Sequence, residues 1–272
     1  MTGPQQQTGT TVADVFSAGS EEFHRWSPLL WDPVGEATAA TAAPGPGERV
    51  LDACCGAGAS ALPAARAVGP AGAVDGVDLS GALLDIAADR ARQEGLRNVR
   101  FHRHDITAWP APDGGYDLVQ CALGVFFLPD MDRSTAALVR LLRPGGRLAV
   151  TVWEKGALTD WWQALRGAVE TERAWPDSPT TARLARIETA DTLAAWLEGL
   201  GLTAARVEPR RLAVALTPDT AWGLVVGSGT RALLHGLDPA AVERLRREFT
   251  ARLTAASVTE LDVRILTGTA VA

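Results

Sequence analysis

Short apolar runs that alternate with polar positions recur along residues 47–155, with helical patterns between them whose apolar residues return every three or four positions. The period-2 runs are RVLDAC at 49–54, AVDGVD at 73–78, a run at 99–104, YDLVQCA at 116–122 and RLAVTVW at 147–153, each bounded by turn residues. Strands alternating with helices in this way predict an α/β fold built on a parallel sheet. After Lys155 the rhythm changes. Helical patterns near 158–172 and 190–200 lead into a strand pattern, ARVEPRRLAVAL, and a second helical pair near 218–234 and 238–253 precedes a last strand, LDVRILTGTAVA. The first 46 residues carry Phe16, Phe23, Trp26 and Trp31 on predicted helices and end in the hinge APGPGE, which gives them the look of a cap. Pro144, Gly145 and Gly146 predict a tight turn between the helix STAALVRLLR and the fifth strand.

Composition narrows the class. With 272 residues, 47% of them hydrophobic, the chain can bury the core of one large domain. Its longest apolar stretch, near LVQCALGVFFL, falls short of the roughly 18 residues needed to cross a bilayer, and MTGPQQQTGTTVADV shows neither a basic opening nor an apolar run. A cytoplasmic location without a membrane partner is expected. Three cysteines, two of them adjacent at Cys54 and Cys55, offer neither a disulfide framework nor zinc spacing, so no metal is expected. The balance of 26 basic against 32 acidic residues, net −6, disfavours nucleic acid and leaves a small molecule as the expected partner.

Chemistry concentrates in VLDACCGAGASALPAAR, an apolar strand, a small-residue turn at Gly56, Ala57 and Gly58, and a helix with Pro63 in its first turn. Glycine lets backbone approach a ligand closely. Asp78, ending the second strand in DGVDLS, is placed to accept from two ribose hydroxyls. Gly56-x-Gly58-x-x-Ala61 also satisfies the dinucleotide fingerprint, which keeps an NAD-dependent dehydrogenase open. Asp52 points elsewhere, because a carboxylate beside the turn repels a pyrophosphate and attracts the ammonium of a methionine moiety. Asp105, ending the third strand in RFHRHDITAW, can accept from an adenine amino group. Acids at three consecutive strand ends suit a cationic, phosphate-free nucleoside.

On these residues the chain resembles the class I S-adenosylmethionine-dependent methyltransferases. DACCGAG resembles the DxxCGxG form of their first motif in the branch that methylates quinones and other small molecules, with Cys54 where many relatives carry Gly or Ala. YDLVQCALGVFFLPDM and LLRPGGRLAVTVW resemble their fourth- and fifth-strand motifs, and the matches cover roughly residues 47–155. The resemblance implies a Rossmann-like seven-stranded sheet ordered 3-2-1-4-5-7-6 with strand 7 antiparallel. The matches mark a cofactor core at 47–155; the residues outside them are expected to form a helical cap at 1–46 and, at 156–272, the remaining strands of the same domain with helical lid insertions.

The site residues are likewise implied by the resemblance. Asp52 and the backbone of Cys54, Cys55, Gly56 and Gly58 would hold the methionine end of S-adenosylmethionine, with Cys121 near its amine. Asp78 would hold the ribose, Leu79 and Leu83 the adenine flank, and Asp105 with Ile106 the adenine edge. The product cofactor would be S-adenosylhomocysteine, and the acceptor a specialised metabolite or quinone-like ring methylated at oxygen, nitrogen or carbon. A methyltransferase-fold cyclase or another non-methylating binder of the same cofactor is the alternative.

Methyl transfer from a sulfonium requires in-line placement and no dedicated base. Many relatives carry His-His after strand four where this chain has Phe126 and Phe127, so no base is assigned there. His24 and His235 are the histidines that the additions could bring to an acceptor. Trp26, Trp31, Phe126, Trp153 and Trp222 are the expected acceptor-side residues, with structural packing the competing role for each large ring.

Overall fold

The computed structural model describes residues 11–272; the first ten residues, part of the expected cap and of the N-terminal segment without a leader pattern, lie outside the described residues. Helices α1 (Val12–Ala18), α2 (Ser20–Arg25) and α3 (Asp32–Ala42) come first, with a π-helical turn at Ser27–Trp31. Strands β1 (Arg49–Ala53), β2 (Ala73–Asp78), β3 (Val99–Arg103), β4 (Tyr116–Ala122) and β5 (Leu142–Trp153) alternate with α4 (Ala61–Val68), α5 (Gly81–Gln93) and α6 (Met131–Val139). Then come α7 (Thr159–Val169), α8 (Pro179–Leu184), α9 (Ala190–Gly199), β6 (Thr203–Ala215), α10 (Pro218–Val226), α11 (Pro239–Ala255) and β7 (Glu260–Val271). Thr11, Thr189 and Thr217 start α1, α9 and α10 with reciprocal capping boxes that satisfy otherwise orphaned N–H groups.

The seven strands form one sheet in the order β3-β2-β1-β4-β5-β7-β6. β1 to β5 run parallel, and β7 is antiparallel to both β5 and β6, as the sequence led us to expect. One face buries Leu51, Ala53, Val119, Cys121, Leu148 and Val150 with Leu138 of α6 and Leu193 and Leu197 of α9. The other buries Val50, Val74, Leu118 and Ala149 under α4, with Ala42 of α3 and Leu84 of α5. Burial on both faces explains why successive positions in these strands, Val50 and Leu51 in β1 and Leu118 and Val119 in β4, are apolar.

A third cluster lies outside those layers. Trp26, Leu30 and Val34 from the N-terminal helices pack with Trp161 and Leu165 of α7, Trp222 of α10, Leu245 and Phe249 of α11, and Val263 and Ile265 of β7. Segments distant in sequence therefore share one apolar core beside the carboxyl ends of the strands.

Two details correct the sequence reading. Pro144 to Gly146 is a bulge inside β5: Tyr116 pairs Leu142 and Leu118 pairs Arg147, so two steps along β4 span five along β5. Pro144 cannot donate to the ladder, and looping out removes the need. The helical pattern near 218–234 divides into α10 and a 3₁₀ turn, Gly229–Leu234, started by the Ser228 hydroxyl.

Candidate functional site

The carboxyl end of β1 runs into Cys54, whose φ of 57° puts a side-chain-bearing residue in the left-handed region. Leu123, just past the end of β4, does the same at φ 53°, so two strained positions flank the head of the central strands. Gly56 and Gly58 come next at φ 51° and 84°, which only glycine adopts without penalty. The Cys55 N–H donates to the Val77 carbonyl at 3.1 Å and the Gly58 N–H to the Cys55 carbonyl at 2.9 Å, fixing the turn onto β2.

Asp78 completes it. Its Oδ2 accepts from the Gly56 N–H at 2.9 Å and its Oδ1 from the Ser80 N–H at 2.8 Å. The acid read as a ribose acceptor thus also shapes the glycine turn, and the carboxylate keeps lone-pair capacity beyond these N–H groups for a hydroxyl. Burial pushes its carboxyl up, against the N–H groups of Ser80, Gly56 and Leu79 that pull it down.

Asp52 is fully buried on the α3/α4 side of the sheet. Its Oδ2 accepts from the Ser60 hydroxyl at 2.8 Å, and its Oδ1 has no partner among the described residues. Burial raises the carboxyl to about 7; the Ser60 hydroxyl and the Gln120 amide oppose that rise, and the charge of Asp78 adds to it. Helix α3 pins this corner: a Cβ on Gly35 would stand 2.0 Å from the Ala59 carbonyl oxygen, so only glycine lets the helix press onto the turn beside Ser60. Arg90 of α5 bridges the same turn to α3, donating to Ala57 O at 2.9 Å and Asp32 Oδ1 at 2.8 Å. Sequence reasoning missed Ser60, Gln120 and Arg90.

At the third strand end Asp105 is exposed and caps a short turn, its Oδ1 accepting from the Thr107 N–H at 2.9 Å and hydroxyl at 2.8 Å. Ile106 is buried beside it. Leu79 is 47% exposed, whereas Leu83, one turn on, is buried under the glycine turn with its Cδ1 facing Gly56. Cys54 and Cys121 lie in contact at the heads of β1 and β4. A hydrogen bond between them, then burial, lifts Cys54 well above the ordinary thiol range, and burial does the same for Cys55. Both remain neutral thiols at neutral pH, ill-suited to nucleophilic attack.

Aromatic rings from the additions stand over the turn. Phe23 of α2 approaches within 3.6 Å of where a Cβ on Gly56 would be, and stacks on Trp31 with centroids 4.8 Å apart. Phe16 meets Phe23 edge-on at 6.1 Å and Phe127 at 5.4 Å. Phe127 is the ring of its pair that reaches the cap, while Phe126 is buried in the core. Trp31 and Trp153 are partly buried, and Trp26 and Trp222 are buried in the helical cluster. The structure does not bring His24 and His235 into this group; both are exposed, on α2 and just after the 3₁₀ turn. His102 is tied to Asp75 at 3.1 Å.

Residues 50–146 match the family described as a methyltransferase domain. That matched segment holds all three strand-end acids and the glycine turn. The chain is 35% identical over 140 residues to aklanonic acid methyltransferase DauC of Streptomyces sp. (strain C5), covering 52% of this chain and 64% of that one. It is 42% identical over 106 residues to a 2-phytyl-1,4-naphtoquinone methyltransferase of Synechococcus elongatus, covering 39% and 46%. These alignments span about half to two thirds of the relatives' lengths. Among solved structures, the [4+2]-cyclase SpnF superposes with TM-score 0.53 at 25% identity, over 88% of this chain and 80% of that one. Among the described residues, no helix is long and apolar enough to cross a membrane.

Proposed function

We propose that the chain is an S-adenosylmethionine-dependent methyltransferase that modifies a small molecule of specialised metabolism in the cytoplasm, with no nucleic-acid partner. The observation that carries this reading is Asp52, a buried carboxyl with an unpartnered oxygen beside the glycine turn and no cation among the influences acting on it. A cationic ammonium answers that need, and a pyrophosphate does not. In this reading Asp52 and the backbone of Cys54, Cys55, Gly56 and Gly58 bind the methionine end, with Cys121 beside it. Asp78 takes the ribose, and Leu79, Leu83, Asp105 and Ile106 border the adenine.

The bound cofactor supplies a methyl group already activated on sulfur. This chain's own contribution is then placement and exclusion of water. We assign cofactor binding to residues 47–155, and closure over the acceptor to the cap within 1–46 and the insertion near 217–257. Phe23 over Gly56 and the shared burial of Trp26 and Trp222 support that division. On the acceptor side, Trp31 and Trp153 are the expected rings that keep partly exposed surface. The similarity to SpnF favours, as a second reading, a protein that keeps the cofactor and catalyses a cyclisation.

Calorimetry with S-adenosylmethionine, S-adenosylhomocysteine and NAD tests the first step: the two sulfur nucleosides should bind and NAD should not. Incubation with methyl-labelled cofactor and a panel of hydroxylated naphthoquinones and anthraquinones separates the two readings. Label in the product supports methyl transfer, and a cyclised, unlabelled product from a polyene precursor supports the second.

A further inference from the structure

Of the buried side-chain polar atoms without a hydrogen-bond partner among the described residues, three sit together: Asp52 Oδ1 and both amide atoms of Gln120. The parallel register of β1 and β4 sets Asp52 directly opposite Gln120 on one face of the sheet, and both are 0% exposed. Their neighbours in that layer, Val50, Leu118 and Ala149, are apolar. A primary amide left unmade in such surroundings is costly, and so is a bare carboxyl oxygen beside it. The two groups are near enough for the amide to act on the carboxyl, yet they do not form a hydrogen bond of normal geometry.

We propose that Gln120 is the positioning residue of Asp52: its amide N–H closes on Oδ1 when that carboxyl ionises, while the Ser60 hydroxyl holds Oδ2, so that the anion is fixed beside the glycine turn. The chemistry of the side chain suits the task. An amide carries both a donor and an acceptor, so rotation lets it donate to the carboxylate or accept from the carboxylic acid. The Ser60 hydroxyl has the same freedom. Asp52 can then gain or lose its proton with a donor or an acceptor facing it in either state, and the neutral amide itself brings no charge.

The groups that face Asp52 leave this role to Gln120. β2 contributes Asp78, a like charge; the turn contributes the Cys55 thiol; the start of α4 contributes Ser60. Helix α3 buries Val34, Gly35, Thr38, Ala39 and Ala42, all uncharged, and Thr38 is engaged with Val34 O and Thr151. Arg90 is committed to Ala57 O and Asp32.

That the fixed anion serves the cofactor's ammonium rests on the function proposed above, whereas the pairing itself does not. The test uses the full chain and Gln120→Leu, with the unbranched Gln120→Met as a second variant in case the first does not fold. Two pH profiles are measured from 5 to 9: thermal stability of the cofactor-free protein, and calorimetric affinity for S-adenosylhomocysteine. Loss of the amide should move the midpoint of both profiles to higher pH by about one unit, weakening affinity about tenfold at pH 6 while leaving it within threefold of wild type at pH 9. An unmoved midpoint, with stability or affinity lowered equally at every pH, would make Gln120 a packing residue and overturn the assignment. If wild type does not bind the nucleoside at all, the proposed function fails, and the cofactor-free stability profile alone still decides the role of Gln120.

Discussion

Asp52 makes the stability of the cofactor-free protein depend on pH in a direction opposite to that of an ordinary acid. Burial raises its carboxyl from 3.8 to about 7. Between those values the folded chain binds the proton and the unfolded chain does not, so stability falls as pH rises through that window. One pKa unit is worth about 1.4 kcal/mol, and the slope flattens near the upper value, so the loss attributable to Asp52 between pH 5 and 8 is about 2 to 3 kcal/mol. The carboxyls of Glu48, Asp117 and Asp132 are lowered, chiefly through Arg147 for Glu48, backbone and Arg143 contacts overcoming burial for Asp117, and Arg186 for Asp132. Their stabilisation is complete above about pH 5 and is lost only as pH falls through their folded values, so it does not contribute a slope in the window that matters. Asp78, raised by burial, contributes with the same sign as Asp52.

Asp52→Asn keeps the shape and removes the proton, so the difference between wild-type and variant unfolding free energies isolates the residue. Urea titrations at half-unit steps should show wild type losing about 2 to 3 kcal/mol relative to the variant from pH 5 to pH 8. Affinity for S-adenosylhomocysteine should run the other way, since the ammonium selects the ionised carboxyl. It should strengthen about a hundredfold over the same range in wild type and stay level in the variant. A flat stability difference would refute the reasoning, because it would mean that the carboxyl is ionised throughout and that burial does not govern it.

Asp78→Ala should weaken S-adenosylhomocysteine binding at least tenfold if it takes the ribose as proposed, and should also lower Tm, because Oδ2 holds the Gly56 N–H; normal affinity measured by calorimetry would remove Asp78 from the site. Phe23→Ala, which touches the turn from the cap, should lower turnover more than cofactor affinity, and equal losses in both would count against closure by the cap. Phe249→Ala should cost about 3 to 5 kcal/mol by chemical denaturation, since its ring is wholly buried between Trp161 and Trp222. His24→Ala and His235→Ala should each keep activity within about a hundredfold, and a greater loss with cofactor binding intact would identify a base.

The features legible in the sequence are those whose cause is local. β1, β2 and β4 announce themselves because their residues are buried on one or both faces, whereas β3 has no fully buried residue and shows only in its alternation; the acids at or just past the ends of β1, β2 and β3 can be placed once the strand ends are known. α8 left no signal because none of its residues is buried; contacts from Arg183 to the carbonyls of Phe126 and Pro129 hold it instead. The start of β5 was misplaced because Pro144 and its glycines have the same composition in a turn and in a bulge, and only pairing with Tyr116 tells the two apart.

The candidate site was half legible for the same reason. Gln120 stands out in DLVQCA as one polar residue inside an apolar strand, but which acid it faces depends on the register of β1 against β4. Ser60 lies eight residues past Asp52, and its hydroxyl reaches back only because the turn is folded over by Gly56 and Gly58. The turn in turn depends on α3, since any side chain at Gly35 would meet the Ala59 carbonyl and push Ser60 away from Asp52. A helix that sequence alone assigns to the cap therefore helps to set the environment of the acid at the centre of the core. In physical terms, α3 belongs with the glycine turn, and Phe16 and Phe23, carried by α1 and α2, are the rings of the N-terminal segment to which the proposed closure falls.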